Sequence, residues 1–168
     1  MDLLVETERK FGIEKAILIC HSLEIKKYAN RKYPDRFIHA KYFSGAFRFS
    51  NGVDPLIKEI ATLKEEGYHL AKMQSAPMMR GRAATGPDTL RMDGDEMARF
   101  FGAMKDEAIP FILHLSDPDT YYETKYTDKK YYSSKERDLR ELEGVLSRYN
   151  DMSLQIAHFA AQPEIHRL

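Results

Sequence analysis

Five stretches of the chain are apolar, or nearly so, over the length of a strand: AILICH (16–21), FIHAKYF (37–43), HLAKMQS (69–75), PFILHLS (110–116) and MSLQIAH (152–158). Each is continuously apolar or carries one or two polar residues. That pattern suits parallel strands covered on both faces. Helical periodicity fills the gaps. Residues 54–66 open with Asp54-Pro55, an N-capping acid ahead of a first-turn proline, and Gly67 supplies the stop. Leu56, Ile57, Ile60, Ala61 and Leu63 form the apolar stripe between them. Residues 95–108 repeat the logic, with Asp95 as the expected cap and Met97, Phe100, Phe101, Met104 and Ala108 on one face. Residues 135–149 place Leu139, Leu142, Val145, Leu146 and Tyr149 at helical spacing, and residues 2–11 and 22–32 carry shorter helical patterns. Alternating strands and helices predict an α/β fold with a parallel sheet.

The connections are lopsided. Helix-to-strand links are short: Glu66-Gly67-Tyr68, Ala108-Ile109 and Asn150-Asp151. Strand-to-helix links are long, over 44–53, 76–94 and 117–134, and the last holds the tyrosine-rich YYETKYTDKKYY (121–132). Long loops therefore gather at the C-terminal ends of the strands, where α/β barrels carry active sites and open α/β sheets carry ligand crevices.

Composition narrows the partners. The 168 residues suit one domain, with roughly 70% of the unfolded surface available for burial. Lys+Arg and Asp+Glu are equal at 26, so the chain lacks the basic surplus of a nucleic-acid binder. Cys20 has no second cysteine to pair with and sits in an apolar run, as a buried hydrophobe does. Nothing in the sequence approaches the ~20 apolar residues of a membrane span. The opening MDLLVETERK is too acidic for a signal peptide, so the expected location is cytoplasmic.

Candidate chemistry sits at the strand ends. His114 and His158 each close a predicted strand on the long-loop side. If those strands are neighbours, their axes lie ~4.8 Å apart, and two imidazoles at one height could share a divalent ion or an ion-bound water. Two hydrogen-bonded core histidines would show the same pattern. Asp117, three residues after His114, could orient an imidazole or simply start a turn at Asp117-Pro118. His21 and His39 read as structural. Lys72, amid apolar neighbours, reaches either the mouth or the solvent. The loop MMRGRAATGPDTLR (78–91) offers Arg80, Arg82 and Arg91 as forks for a carboxylate or phosphate, or is a solvated loop. Gly81 and Gly86 have P-loop spacing, but Pro87-Asp88 stands where Lys-Ser/Thr is needed. No GxGxxG, CxxC or GxSxG occurs.

Three stretches together resemble a known family: YPDRFIHAKYFSG (33–45), EIATLKEEGYHLAKMQS (59–75), and IPFILHLSDP (109–118) followed by LEGVLSRYNDMSLQIAHFA (142–160). They are similar to the amidohydrolase-related family of the amidohydrolase superfamily. It contains metal-dependent hydrolases and decarboxylases related to aminocarboxymuconate semialdehyde decarboxylase. The resemblance implies a (β/α)8 TIM barrel with one divalent metal, commonly zinc. Residues 1–168 would form a single domain holding strands 2 to 6. His114 would match the strand-5 metal ligand. His158 would match the strand-6 histidine, which shuttles a proton or binds metal. Asp117 joins His158 as a candidate catalytic residue. Arg80, Arg82 and Tyr121, with Tyr122 nearby, are candidates for binding a small anionic or aromatic acid.

The departures from the family pattern are specific. The first-strand His-x-His pair is absent, and the chain closes at Leu168, before the strand-8 aspartate would be reached. Strands 1, 7 and 8 are thus missing from these residues, and metal binding and activity are expected to be weak. Five strands without closure leave two edges and an apolar interior face open, which predicts a homo-oligomer. The alternative to an enzyme is a barrel remnant that self-associates, or an α/β module that binds a small anion.

Overall fold

The computed structural model describes residues 1–43, 52–82 and 91–161, without the side chains of residues 80–82. The order is α1 (Asp2–Lys10), β1 (Ala16–Cys20), α2 (Leu23–Lys32), β2 (Phe37–Phe43), α3 (Asp54–Thr62), β3 (Leu70–Gln74), α4 (Pro77–Arg82), α5 (Asp95–Asp106), β4 (Phe111–His114), α6 (Asp119–Thr124), α7 (Lys135–Arg148) and β5 (Leu154–Ile156). The five strands form one sheet in the order β1-β2-β3-β4-β5, every pair parallel. This is the predicted architecture: consecutive parallel strands joined through helices, as in part of a (β/α)8 barrel.

Most boundaries fall within a few residues of the pattern. Ser22 and Ser134 cap α2 and α7, accepting from the backbone N–H of Ile25 and Arg137. Two expected caps shift by one residue. Val53 and Gly94 hold the cap positions of α3 and α5, which puts Asp54 and Asp95 in the first turn. There a carboxylate still faces the positive end of the helix dipole. Asp54 also pairs with Arg99 of α5. Helix α3 ends at Thr62, earlier than predicted, and turns carry the chain to Gly67. Gly67 has φ +73°, a conformation that glycine adopts without a Cβ penalty.

The core lies between one face of the sheet and α3, α5 and α7. Phe43, Met73, Phe111 and Leu113 come from the strands. They meet Leu56 and Ile60 of α3, Met97, Phe100, Phe101 and Met104 of α5, and Leu142 and Val145 of α7. Phe100 is fully buried and makes edge contacts with Phe43, Phe101 and Phe111 at centroid distances of 5.5, 5.6 and 5.6 Å. A smaller cluster of Val5, Ala29 and Phe37 seats α1 and α2. The opposite sheet face is different. Side chains alternate along a strand, so Ile17, Ile19 and Ile38 point away from the helices, and they are 46%, 39% and 36% exposed.

Because Phe100 joins two strands to the central helix, Phe100→Ala should destabilise the chain by about 3–5 kcal/mol. Urea denaturation of the two proteins measures this. A loss under 1 kcal/mol would contradict the packing described.

Candidate functional site at the strand ends

Register builds the site. Parallel pairing sets Gln74 opposite His114, and one row below it aligns Tyr42, Lys72, Ile112 and Gln155 across β2 to β5. The backbone carbonyl of His114 accepts from the Ser75 N–H at 2.7 Å, so β3 holds the end of β4 in place. Leu115, Ser116 and Asp117 stay buried beyond the strand. The Asp117 carboxylate then turns back toward the imidazole.

The result is a chain of hydrogen bonds. Tyr126 Oη donates to Asp117 Oδ2 at 2.6 Å. His114 Nε2 lies 3.1 Å from Asp117 Oδ1, and His114 Nδ1 lies 3.2 Å from His158 Nε2. The two rings meet edge to face with centroids 4.4 Å apart. Burial works against the charged Asp117, but the hydrogen bonds from His114 and Tyr126 and the nearby imidazoles outweigh it. Its carboxyl is held below the ordinary aspartate value. An ionised Asp117 only accepts, so it assigns the proton of His114 to Nε2. With its proton on Nε2, His114 accepts at Nδ1 from the Nε2–H of His158. This leaves Nδ1 of His158 as the nitrogen open to protonation. Burial and the adjacent His114 lower the His158 pKa, which keeps that nitrogen a ready acceptor near neutral pH.

His158 does not end a strand as the pattern predicts. Strand β5 closes at Ile156, and His158 lies in the turn Ala157–Ala161. His158, Phe159 and Ala160 have φ of +41°, +50° and +54° there. Left-handed backbone costs a residue with a side chain roughly 1–2 kcal/mol. The turn is anchored by Lys135 Nζ, which donates to the Ala161 carbonyl and pairs with Asp119, each at 2.6 Å.

The tyrosine-rich segment is a folded wall, which sequence reasoning missed. It begins with α6, where a loop was expected. Tyr126 packs against Tyr121, Tyr122 and Tyr132. Burial, then its bond to Asp117, pushes the Tyr126 phenol upward and keeps it a donor. Tyr122 Oη donates to Asp138 Oδ2 at 2.6 Å, so it is a structural strut. Tyr121 is 36% exposed, with the Lys125 ammonium 3.4 Å from its ring centre.

Other candidates separate. Arg80 and Arg82 fall in α4, but their side chains lie outside the described residues. Arg91 pairs with Asp93 at 2.7 Å. His21 packs on Tyr42 with centroids 4.3 Å apart. His39 is at the other end of the sheet. It contacts Cys20 and Asn30 and helps line an open pocket of about 460 Å³ with Lys15 and His69. Lys72 lies near the histidine pair: it is 8% exposed, and its charge contributes to the lowered pKa of His158. Burial pushes its own pKa down to about 8.

A metal can be tested against these donors. Two nitrogens bound tetrahedrally to one zinc at about 2.05 Å would lie roughly 3.3 Å apart, close to the 3.2 Å between His114 Nδ1 and His158 Nε2. A zinc centre needs at least one further protein donor. Among the described residues no three His, Cys, Asp or Glu side chains converge as ligands. These residues therefore do not make a metal centre by themselves.

No family model matches the sequence, and no curated protein matches it. Solved structures do match in shape. One is 2,6-dihydroxybenzoate decarboxylase complexed with 2,6-dihydroxybenzoate, with a TM-score of 0.60 and 18% identity, covering 96% of this chain and 56% of that one. Another is 2,6-dihydroxybenzoate decarboxylase from Rhizobium, with a TM-score of 0.60 and 17% identity, covering 96% and 57%. The likeness is one of fold. This chain spans just over half the length of those enzymes.

Lys72 carries the prediction from this geometry. Below pH 8 its amine is charged in both folded and unfolded chains, and the folded chain bears the full burial cost. Between pH 8 and the ordinary value of 10.5, only the unfolded chain keeps the proton, so the cost is relieved as pH rises. Lys72→Met should therefore be more stable than the parent by about 2 kcal/mol at pH 7. Denaturation at stepped pH should show the gap closing above pH 8. A gap that is absent, or that widens with pH, would contradict the assignment.

Proposed function

We propose that residues 1–168 are a single domain corresponding to strands 2 to 6 of an amidohydrolase-superfamily barrel, and that its mouth carries out acid–base chemistry on a small anionic or aromatic acid. The reaction class is decarboxylation or hydrolysis. The observation that carries this reading is the convergence of His114 and His158 from adjacent strand ends, backed by a buried, ionised Asp117. Such an array can hold one proton and hand it to or from a substrate. In decarboxylation, protonated His158 delivers a proton to the carbon bearing the carboxylate. The C–C bond electrons stay with that carbon as carbon dioxide leaves, and solvent restores the proton. In hydrolysis, neutral His158 takes a proton from water as the water oxygen bonds to the scissile carbonyl carbon, and returns it to the leaving group as the old bond breaks. Asp117 fixes the tautomer of His114 in both cases and balances the charge that develops on the pair.

The superfamily's divalent metal, zinc in the first instance, would take Nδ1 of His114 as a ligand, with His158 kept for proton transfer. The other ligands would come from polypeptide beyond the described residues. The solved relative in complex with 2,6-dihydroxybenzoate supports a planar aromatic acid as the first substrate to try.

A second reading rests on the open sheet. Ile17, Ile19 and Ile38 are exposed on the face opposite the helices, and β1 and β5 each pair with one neighbour among the described strands. A remnant that self-associates through this surface would use the fold without the chemistry.

One set of samples separates the two. Purified protein, with and without added zinc, is incubated with 2,6-dihydroxybenzoate while carbon dioxide release is followed and the oligomeric state is measured by light scattering. The acid–base reading expects slow release that falls at least about 100-fold in His158→Gln and His114→Gln. Turnover untouched by both substitutions would overturn it. An inactive oligomer whose association survives both substitutions would establish the second reading instead.

A further inference from the structure

Lys72 is a buried cation with no carboxylate partner among the described residues. Its neighbours in β3, Ala71 and Met73, face the helices and belong to the core. Alternation sends Lys72 to the opposite face with Leu70 and Gln74. That face is apolar toward the start of the strands, with Ile17, Ile19, Ile38 and Leu70. It becomes polar toward their ends, with Tyr42, Lys72, Gln74, Gln155 and His114. Lys72 stands at the boundary, one row below His114 on the adjacent strand. It is only 8% exposed. Among the described residues no carboxylate pairs with its ammonium and no hydrogen-bond acceptor reaches it. Asp117, the carboxylate of the site, already accepts from His114 and Tyr126.

A buried lysine without a partner is expensive. Of the other buried lysines among the described residues, Lys135, 3% exposed, pairs with Asp119, and Lys26, 7% exposed, lies 5.3 Å from the centre of the Tyr68 ring. Lys72 has neither an ion pair nor a ring partner among the described residues, and it stands beside the histidine pair. A small planar acid would suit this place, its carboxylate on the amine and its ring toward the imidazoles.

We infer that Lys72 is the anion-binding residue of the mouth, its ammonium receiving the carboxylate of a small aromatic acid beneath His114 and His158. The identity of the acid rests on the acid–base reading above. The anion site itself rests on the burial of Lys72 and on the lack of a partner for its amine among the described residues. Binding fixes the carboxylate end of the acid and leaves the rest of the ring within reach of the imidazoles.

The probe is benzoate, with benzamide as its neutral isostere, titrated into the purified chain by calorimetry and by amide NMR. Benzoate should bind at least tenfold more tightly than benzamide and shift the amide signals of residues 70–74 and 112–114. Lys72→Met should lose benzoate affinity at least tenfold while unfolding at the same or a higher temperature. Equal binding of the two probes, unchanged benzoate affinity in Lys72→Met, or no benzoate binding by the parent would each overturn the inference. The parent-only comparison with benzamide stands even if the variant fails to fold. Lys72-dependent benzoate binding without turnover of 2,6-dihydroxybenzoate would sink the acid–base reading and leave the anion site. Turnover without Lys72-dependent binding would do the reverse.

Discussion

The register of the parallel sheet is the constraint on which the mouth depends. Each strand is paired with the next in chain order, so every strand end arrives on the same side. A one-residue slip between β3 and β4 would turn His114 into the core and send Leu113 to the open face. The core forbids this, because Phe111 and Leu113 must meet Phe100 and Phe101. Aromatic packing on the helix side thus decides what is displayed on the other side.

From that register follows an electrostatic arrangement with a direction. Tyr126 and His114 each bond one oxygen of the Asp117 carboxylate, and the carboxylate sets which nitrogen of His114 carries the proton. The imidazole pair is therefore polarised before any ligand arrives. Its far member sits on strained, left-handed backbone tied down by Lys135. Strain of this kind persists where the surroundings over-determine it, and it gathers at functional sites. Lys72, buried and without a carboxylate partner among the described residues, is a second unfavourable feature of the same site.

Much of this was legible in the sequence, for identifiable reasons. Near-continuous apolar runs mark parallel strands because both faces are covered, and all five runs contain a strand. Lopsided loop lengths located the mouth. His114 and His158, singled out by their positions at the run ends, come together in the fold. The remainder was hidden for physical reasons. Helix α6 is six residues long and buries no side chain, so it leaves no apolar period to read. Tyr126 is one of five tyrosines within 121–132, and only the tertiary fold distinguishes the one that reaches Asp117. The left-handed turn at His158 lacks the glycine that usually signals such backbone. Asp54 and Asp95 were placed one residue early because an acid serves almost as well in the first turn as at the cap.

The central claim is the directed chain Tyr126–Asp117–His114–His158. Nitrogen-15 NMR of the imidazole rings, followed through a pH titration, tests it most directly. The expected result is His114 protonated at Nε2, His158 donating through Nε2, and His158 titrating below the ordinary histidine value of 6.5. His114 carrying its proton on Nδ1, or His158 titrating above that value, would contradict it.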